Sequence, residues 1–297
     1  MKVTVRQTFS LLLAAVILCA CSRSSLEHNN GVVISAEFSA DSGSESYLES
    51  EVSDLPLWIF NASDGKLFDY TRWEDPRELA SNIFNMPGGK YTVVLGACIS
   101  SPLSADGIAS PSEISFILDG VREAQSYSAC GDFSIDNPTR LMEVRMEMQS
   151  FLSEFAVQIE GAPDGLKLDI EAVNSSAAFY PARKSDDGSF GVQSESLKPT
   201  TIPTIGLSAA APRSQSFFLM PTALGRQWSF WRLVMTTPEG KMLESYIEAP
   251  VMKSGEKYLM SLGYNDIQSF MHLSSCPIED WTQGWVYEGV ITDPESE

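Results

Sequence analysis

Only two histidines occur in the 297-residue chain, His28 and His272, and that scarcity closes most routes to catalysis. A serine or cysteine triad would have to recruit His272. No Gly-x-Ser-x-Gly elbow, His-Glu-x-x-His pair, Cys-x-x-Cys pair or glycine-rich phosphate loop is present. A carboxylate-pair glycosidase leaves no linear signature, because its two acids need only be close in space. The residues therefore read as non-enzymatic, with no metal and no cofactor. Cys98, Cys130 and Cys276 have neither zinc nor redox spacing and read as structural, Cys98 as a small hydrophobe inside an apolar strand. Three thiols allow at most one disulfide, and the spacing leaves the pairing open. Among the aromatics, Trp228 and Phe230 fall on one face of a strand and Trp231 on the other, which points to core packing with one edge contact. Trp58 lies in an apolar run, and Trp73, in a polar loop-like stretch, is the sugar-binding candidate.

The remaining cysteine of chemical interest is Cys21. Lys2 and Arg6 form a positive n-region, Phe9 to Leu18 form an apolar core, and small residues follow. That run is too short to span a bilayer, which takes about 20 apolar residues. Residues 1–20 read as a removable signal peptide. Leu18-Cys19-Ala20-Cys21 resembles a bacterial lipobox, in which cleavage leaves a diacylated cysteine as the first mature residue. Cys21 is then the lipidation site, and Ser22 in place of aspartate resembles the pattern of lipoproteins passed on to the outer membrane.

Removal of residues 1–20 leaves 277 residues, enough for about two domains. The mature chain keeps 18 basic residues against 39 acidic ones, a net charge of −21. A polyanion without a basic cluster repels phosphate backbones, so nucleic acid is excluded as a partner. Membrane attachment has to come from the acyl chain on Cys21 rather than from charge.

Residues 21–31 are polar and aperiodic, as expected of a lipidated tether. From Val32 onward, short alternating runs are separated by turn residues, the pattern of an all-β chain. Val32 to Ser39 places Val32, Ile34, Ala36 and Phe38 on one core-facing side. Leu55 to Asn61 is continuously apolar, and Ser63-Asp64-Gly65 turns it into Lys66 to Tyr70. Tyr91 to Ile99, Glu113 to Leu118 and Leu141 to Met148 complete the first set. A second set comprises Glu154 to Gly161, Leu166 to Val173, Ser216 to Met220, Trp228 to Thr236, Lys241 to Ala249 and Lys257 to Gly263. The domain boundary is placed between 148 and 149, giving domains 32–148 and 149–297. Residues 184–211 read as a long loop with one short strand. The acidic loop 41–54 lacks the ligand spacing of a calcium site and reads as a solvated connection.

Several segments together resemble the fimbrillin superfamily of type V pili, and within it the anchor-type fimbrillin-associated lipoproteins. The apolar strand and Asp-Gly turn of 55–66, the Pro87-Gly-Gly-Lys-Tyr91 strand start, the domain-opening stretch 146–161, and the closing segments Gly255-Glu-Lys-Tyr258 and Ile278-Glu-Asp-Trp281 carry the resemblance. It implies two tandem transthyretin-like, Greek-key β-sandwich domains and assembly by donor-strand exchange, in which an extended segment from one subunit completes the sandwich of another. Stalk subunits of the family lose their first strand to a protease cutting after arginine or lysine. Here Arg23 is the only lysine or arginine between Cys21 and Lys66. The implied role is thus an outer-membrane, surface-exposed anchor or assembly terminator that keeps its first strand and pairs with other pilus subunits. The alternatives are a tip adhesin of the same pilus or a surface lipoprotein binding a glycan or protein, its ligand unknown. Trp285, Tyr287 and Ile291 share one face of the C-terminal segment, which either donates a strand or completes the second sandwich.

Overall fold

The computed structural model describes residues 31–38, 52–162, 164–186, 188, 190–206, 213–238, 240 and 242–264. The signal peptide, Cys21, the tether up to residue 30, both histidines, Cys276, Trp285, Tyr287 and Ile291 lie outside them. Among the described residues the protein is all-β apart from the helix α1 (Pro76–Ser81) and a 3-10 turn (Pro111–Glu113). The strands of the first half are β1 (Gly31–Phe38), β2 (Leu55–Asn61), β3 (Leu67–Trp73), β4 (Gly89–Ala97), β5 (Leu103–Asp106), β6 (Ser115–Leu118), β7 (Tyr127–Ile135) and β8 (Leu141–Ser150). Those of the second are β9 (Ser153–Glu160), β10 (Lys167–Ala172), β11 (Phe179–Lys184), β12 (Phe190–Gln193), β13 (Thr200–Gly206), β14 (Arg213–Leu219), β15 (Ser229–Thr236), β16 (Met242–Ala249) and β17 (Lys257–Gly263).

The first sheet has the order β1-β8-β7-β4-β2-β3, and its centre is buried on both faces. Leu55, Leu57 and Ile59 of β2 face one core with Val93 and Leu95, while Trp58 and Phe60 face another with Val94 and Phe116. A strand covered on two sides has no polar side, which is why 55–61 is continuously apolar. The hairpin that follows is made by its own side chains. Asn61 Oδ1 accepts from Ser63 N at 3.0 Å, Asp64 Oδ1 accepts from Lys66 N at 3.1 Å, and Gly65 takes φ 69°.

The second face of this sheet is covered by β12-β11-β6-β5, a sheet with two strands from each half of the chain. Phe116 of β6 pairs with Phe179 of β11. Between them lies Phe151, fully buried, with ring centroids 5.2 Å from Phe116 and 4.9 Å from Phe179. The boundary between 148 and 149 falls inside β8, and the halves are joined by this sheet and its core. A third core lies between the sheets β13-β10-β15-β16 and β14-β9-β17, where Trp231 stacks on Phe155 at 4.0 Å.

Several readings change. β7, nine residues long, goes unread in the sequence because Gly131-Asp132 interrupts its alternation. Gly131 is instead a mid-strand residue lying over Met146, where a Cβ would sit 3.7 Å from the Met146 methyl. The stretch 184–211 holds β12 and β13 rather than one short strand, and β13 tolerates Pro203 because it is the sheet edge. β4 ends at Ala97, so Cys98 is outside it, half-buried at φ 58°, with its N–H bonded to Ser53 O at 2.7 Å. Trp73 ends β3 and packs on the first core, its indole N–H donating to Thr71 Oγ1 at 3.0 Å, so it is no free sugar platform. In the Trp228–Trp231 group the core residue is Trp231, at 1% exposure; Trp228 and Phe230 face solvent at 50% and 37%.

Cys130 carries a free thiol on the face of β7 that packs against the core of Trp58, Val94 and Phe116, and burial, with Asp132 nearby, pushes its pKa up to about 12. It stays protonated at neutral pH, and the thiol is a poor nucleophile. Labelling the folded protein with iodoacetamide at pH 8 is expected to modify Cys130 at least ~10-fold more slowly than in urea, as read by peptide mass spectrometry.

Candidate strand-pairing site in the first sandwich

The residues proposed as a retained first strand lie in β1, and the structure shows what holds them. β1 runs parallel to β8 over eight register positions, from Gly31 opposite Leu141 to Phe38 opposite Met148. Parallel strands cannot be joined by a tight turn, so the pairing spans more than 100 residues of intervening chain. β8 in turn meets β7 at only two positions, Tyr127 with Ser150 and Ser128 with Gln149. The β1–β8 ribbon is therefore attached to the rest of its sheet at one corner.

Beyond that corner, side chains take over. Val32 and Ile34 are 1% and 0% exposed and share a core with Leu79, Phe84, Met146 and Met148. Each such side chain contributes roughly 1.5–3 kcal/mol of burial. Ala36 and Phe38 are half-buried against the same core, and Phe38 meets the Tyr127 ring edge-on at 5.3 Å. On its other side β1 is fastened by a reciprocal bridge: Val32 N to Phe84 O at 3.0 Å and Phe84 N to Val32 O at 2.8 Å. The alternation of β1 and β8 makes Val32, Ile34, Met146 and Met148 legible as inward. Phe84 carried no signal, since it sits in an irregular stretch after α1.

The outward face of the ribbon is charged. Arg145 lies 3.2 Å from Glu37 and 3.1 Å from Glu143, and these carboxylates raise its pKa, Glu143 foremost. All three side chains are exposed, so the pair orients the strands more than it stabilises them.

Entry into β1 depends on Gly31. Its φ is 137°, and a Cβ would lie 2.5 Å from Ile83 Cγ2 and 2.9 Å from Phe84 O. Gly31→Ala is expected to cost about 1–3 kcal/mol by urea denaturation, because both the torsion and the contact are unfavourable.

The first and third cores each contain the tyrosine of a related motif. In Gly88-Gly-Lys-Tyr91, the Tyr91 hydroxyl donates to Pro87 O at 3.0 Å. In Gly255-Glu-Lys-Tyr258, the buried Tyr258 hydroxyl accepts from Lys253 N at 3.0 Å and lies 2.6 Å from Glu256 Oε2. Burial, reinforced by Glu256, raises the Tyr258 pKa. In each half, too, the first and last described strands run parallel: β1 with β8, and β9 with β17.

These features define an all-β protein of paired sandwiches, each with its first and last described strands side by side. Solved structures share that fold. A candidate adhesin from Bacteroides thetaiotaomicron VPI-5482 superposes with a TM-score of 0.54 at 14% identity, covering 85% of this chain and 97% of that one. The fimbrial anchor protein Mfa2 from Porphyromonas gingivalis gives 0.53 at 14% identity, with 84% and 98% covered. A candidate polysaccharide-binding protein from Bacteroides thetaiotaomicron VPI-5482 gives 0.52 at 12% identity, with 84% and 92% covered. No family model matches the sequence, and no curated protein does.

Proposed function

We propose that this chain is an outer-membrane lipoprotein, held by an acyl chain on Cys21, that acts as a non-catalytic anchor or assembly-terminating subunit of a pilus. The observation that carries the reading is the seating of β1. It is paired along its whole length and buries Val32 and Ile34, and the sequence offers a trypsin-like protease no site between Arg23 and Lys66. Cutting at Arg23 would release the lipid and leave β1 in place. A subunit whose first strand stays home presents no vacant groove at that position, so a growing fibre would stop or be rooted there. Likeness of fold to a fimbrial anchor protein supports the reading, and likeness to candidate adhesins supports the rival of a tip or surface-binding role.

Mass spectrometry of the mature protein from cells tests it. The expected N-terminus is an acylated Cys21, with β1 retained after incubation with a trypsin-like maturation protease. A soluble product lacking residues up to about 54, able to polymerise, would overturn the proposal. Immunogold labelling at the fibre base rather than the tip separates the anchor from the adhesin.

A further inference from the structure

The first sheet has a strand edge that its own neighbours leave open. β7 pairs with β4 at nine register positions but with β8 only at Tyr127 and Ser128. From Ala129 to Ile135, the side of β7 turned away from β4 therefore has no strand partner among the described residues. Alternate residues of an antiparallel strand aim their N–H and C=O groups to opposite sides, so this edge carries backbone donors and acceptors over seven residues. Free edges are usually short, charged or covered. This one is recessed: a cavity of about 500 Å³ runs along it, lined by Ala129, Cys130 and Gly131, and Ala129 is only 8% exposed.

The walls of the cavity belong to different layers. Met146 of β8 is part of the first core, whereas Phe179 of β11 is part of the core on the opposite face of the sheet. Pro181 and Phe190 extend the second wall, and Phe190 is 38% exposed. On the first side, Phe133, Met142 and Val144 are only half-buried against their core. The opening is thus a slot in the plane of the first sheet, where one more strand beside β7 would be covered on both faces. A strand so placed has to be apolar on both faces, as β2 is on the other side of β4.

We propose that this slot is closed by residues 285–291 of the same chain, which add to β7 as one more strand of the first sheet. These residues lie outside the described ones. Their order, Trp285-Val-Tyr-Glu-Gly-Val-Ile291, is apolar on both alternating faces with a single charge, Glu288, and its seven residues match the length of the open edge. Lys184, whose amine lies 5.2 Å from the centre of the Phe190 ring, supplies a counter-charge for Glu288 at the slot. The connection reaches. Ser254 lines the cavity, β17 begins three residues later and carries the chain about 23 Å away, and 20 residues, 265–284, then precede Trp285. Retracing that distance takes only about seven extended residues. A tether of this length gives the chain's own segment a roughly millimolar effective concentration at the slot, which favours it over the same segment of a second molecule. The inference is independent of the anchoring reading: it involves neither acylation of Cys21 nor retention of β1, and either can fail alone.

Amide hydrogen exchange of the full mature protein, read by mass spectrometry, tests it against a chain ended after Asp280. The expected result is that amides of 129–135 exchange at least ~10-fold faster in the shortened chain, while those of β10 and β15 in the third core keep the parent's rates. Val290→Asp leaves the chain length intact, puts a carboxylate into the doubly covered strand and is expected to expose 129–135 in the same way. A synthetic peptide of residues 283–293 should restore slow exchange to the shortened chain in a saturable manner. In the parent, the protection of 129–135 should be the same at high and low protein concentration. Equal exchange of 129–135 in the parent and both variants overturns the proposal. So does protection that grows with protein concentration, which would assign the slot to a second copy, or protection that appears only when another pilus subunit is added, which would assign it to a partner's strand.

Discussion

Ile34→Asp is expected to lower stability by about 4 kcal/mol or more, because it places a carboxylate in a site with no exposed surface and no partner of opposite charge in its core cluster. For a chain of this size, that corresponds to a fall in Tm of roughly 8–15 °C. Two comparisons isolate the cause. Ile34→Val removes only one methylene and should cost about 1 kcal/mol, and Glu37→Ala, which removes one arm of an exposed ion pair, should change stability by less than ~0.5 kcal/mol. If the charged variant also frees β1, its groove and the inner edge of β8 become available, and size-exclusion chromatography should show concentration-dependent association relieved by an added Gly31–Phe38 peptide. A variant that melts like the parent would show that β1 contributes little to the fold, and the retained-strand reading would lose its basis.

Phe151→Ala is expected to have an effect of similar size and a different form. Phe151 is fully buried between Phe116 from the first half and Phe179 from the second, so truncation leaves a cavity where the halves meet. Large-to-small changes of this kind cost about 3–5 kcal/mol. The loss falls on the coupling as well as on the total, because the cores on either side, one centred on Leu57 and Val93 and the other on Trp231 and Phe155, are left intact. Calorimetry of the variant should resolve two transitions where the parent gives one. A single, unshifted transition would mean that the shared sheet does not link the halves energetically.

Much of the first sandwich is legible before any coordinates are known. Leu55–Asn61 and Lys257–Gly263 are read with their observed limits, since one is a doubly buried apolar run and the other follows a Gly-Glu-Lys-Tyr start. β1 and β8 show period-two alternation, and alternation reports which side chains turn inward. β7 escapes because Gly131-Asp132 interrupts its alternation, while nine cross-strand pairs with β4 override that local preference. β12 escapes because four residues at a sheet edge are too few to set a period, and β13 because Pro203 interrupts a run rich in threonine. Trp58 is legible only as an apolar strand residue. That its N–H is buried without an acceptor follows from packing against segments such as β6, more than 50 residues away.

Strand content, the acidic surface, the poverty in histidine and the absence of lysine or arginine between Arg23 and Lys66 are properties of the amino-acid order alone, because each depends on composition or on neighbours in the chain. Tertiary structure alone decides that β1 pairs in parallel with β8, that two halves share one sheet, and that the buried Trp58 indole N–H is left without a partner. The physical reason is range. Side-chain periodicity tells a strand which face to bury, but backbone hydrogen bonds are the same for every sequence, so the choice of partner is made by packing among residues more than 100 positions apart.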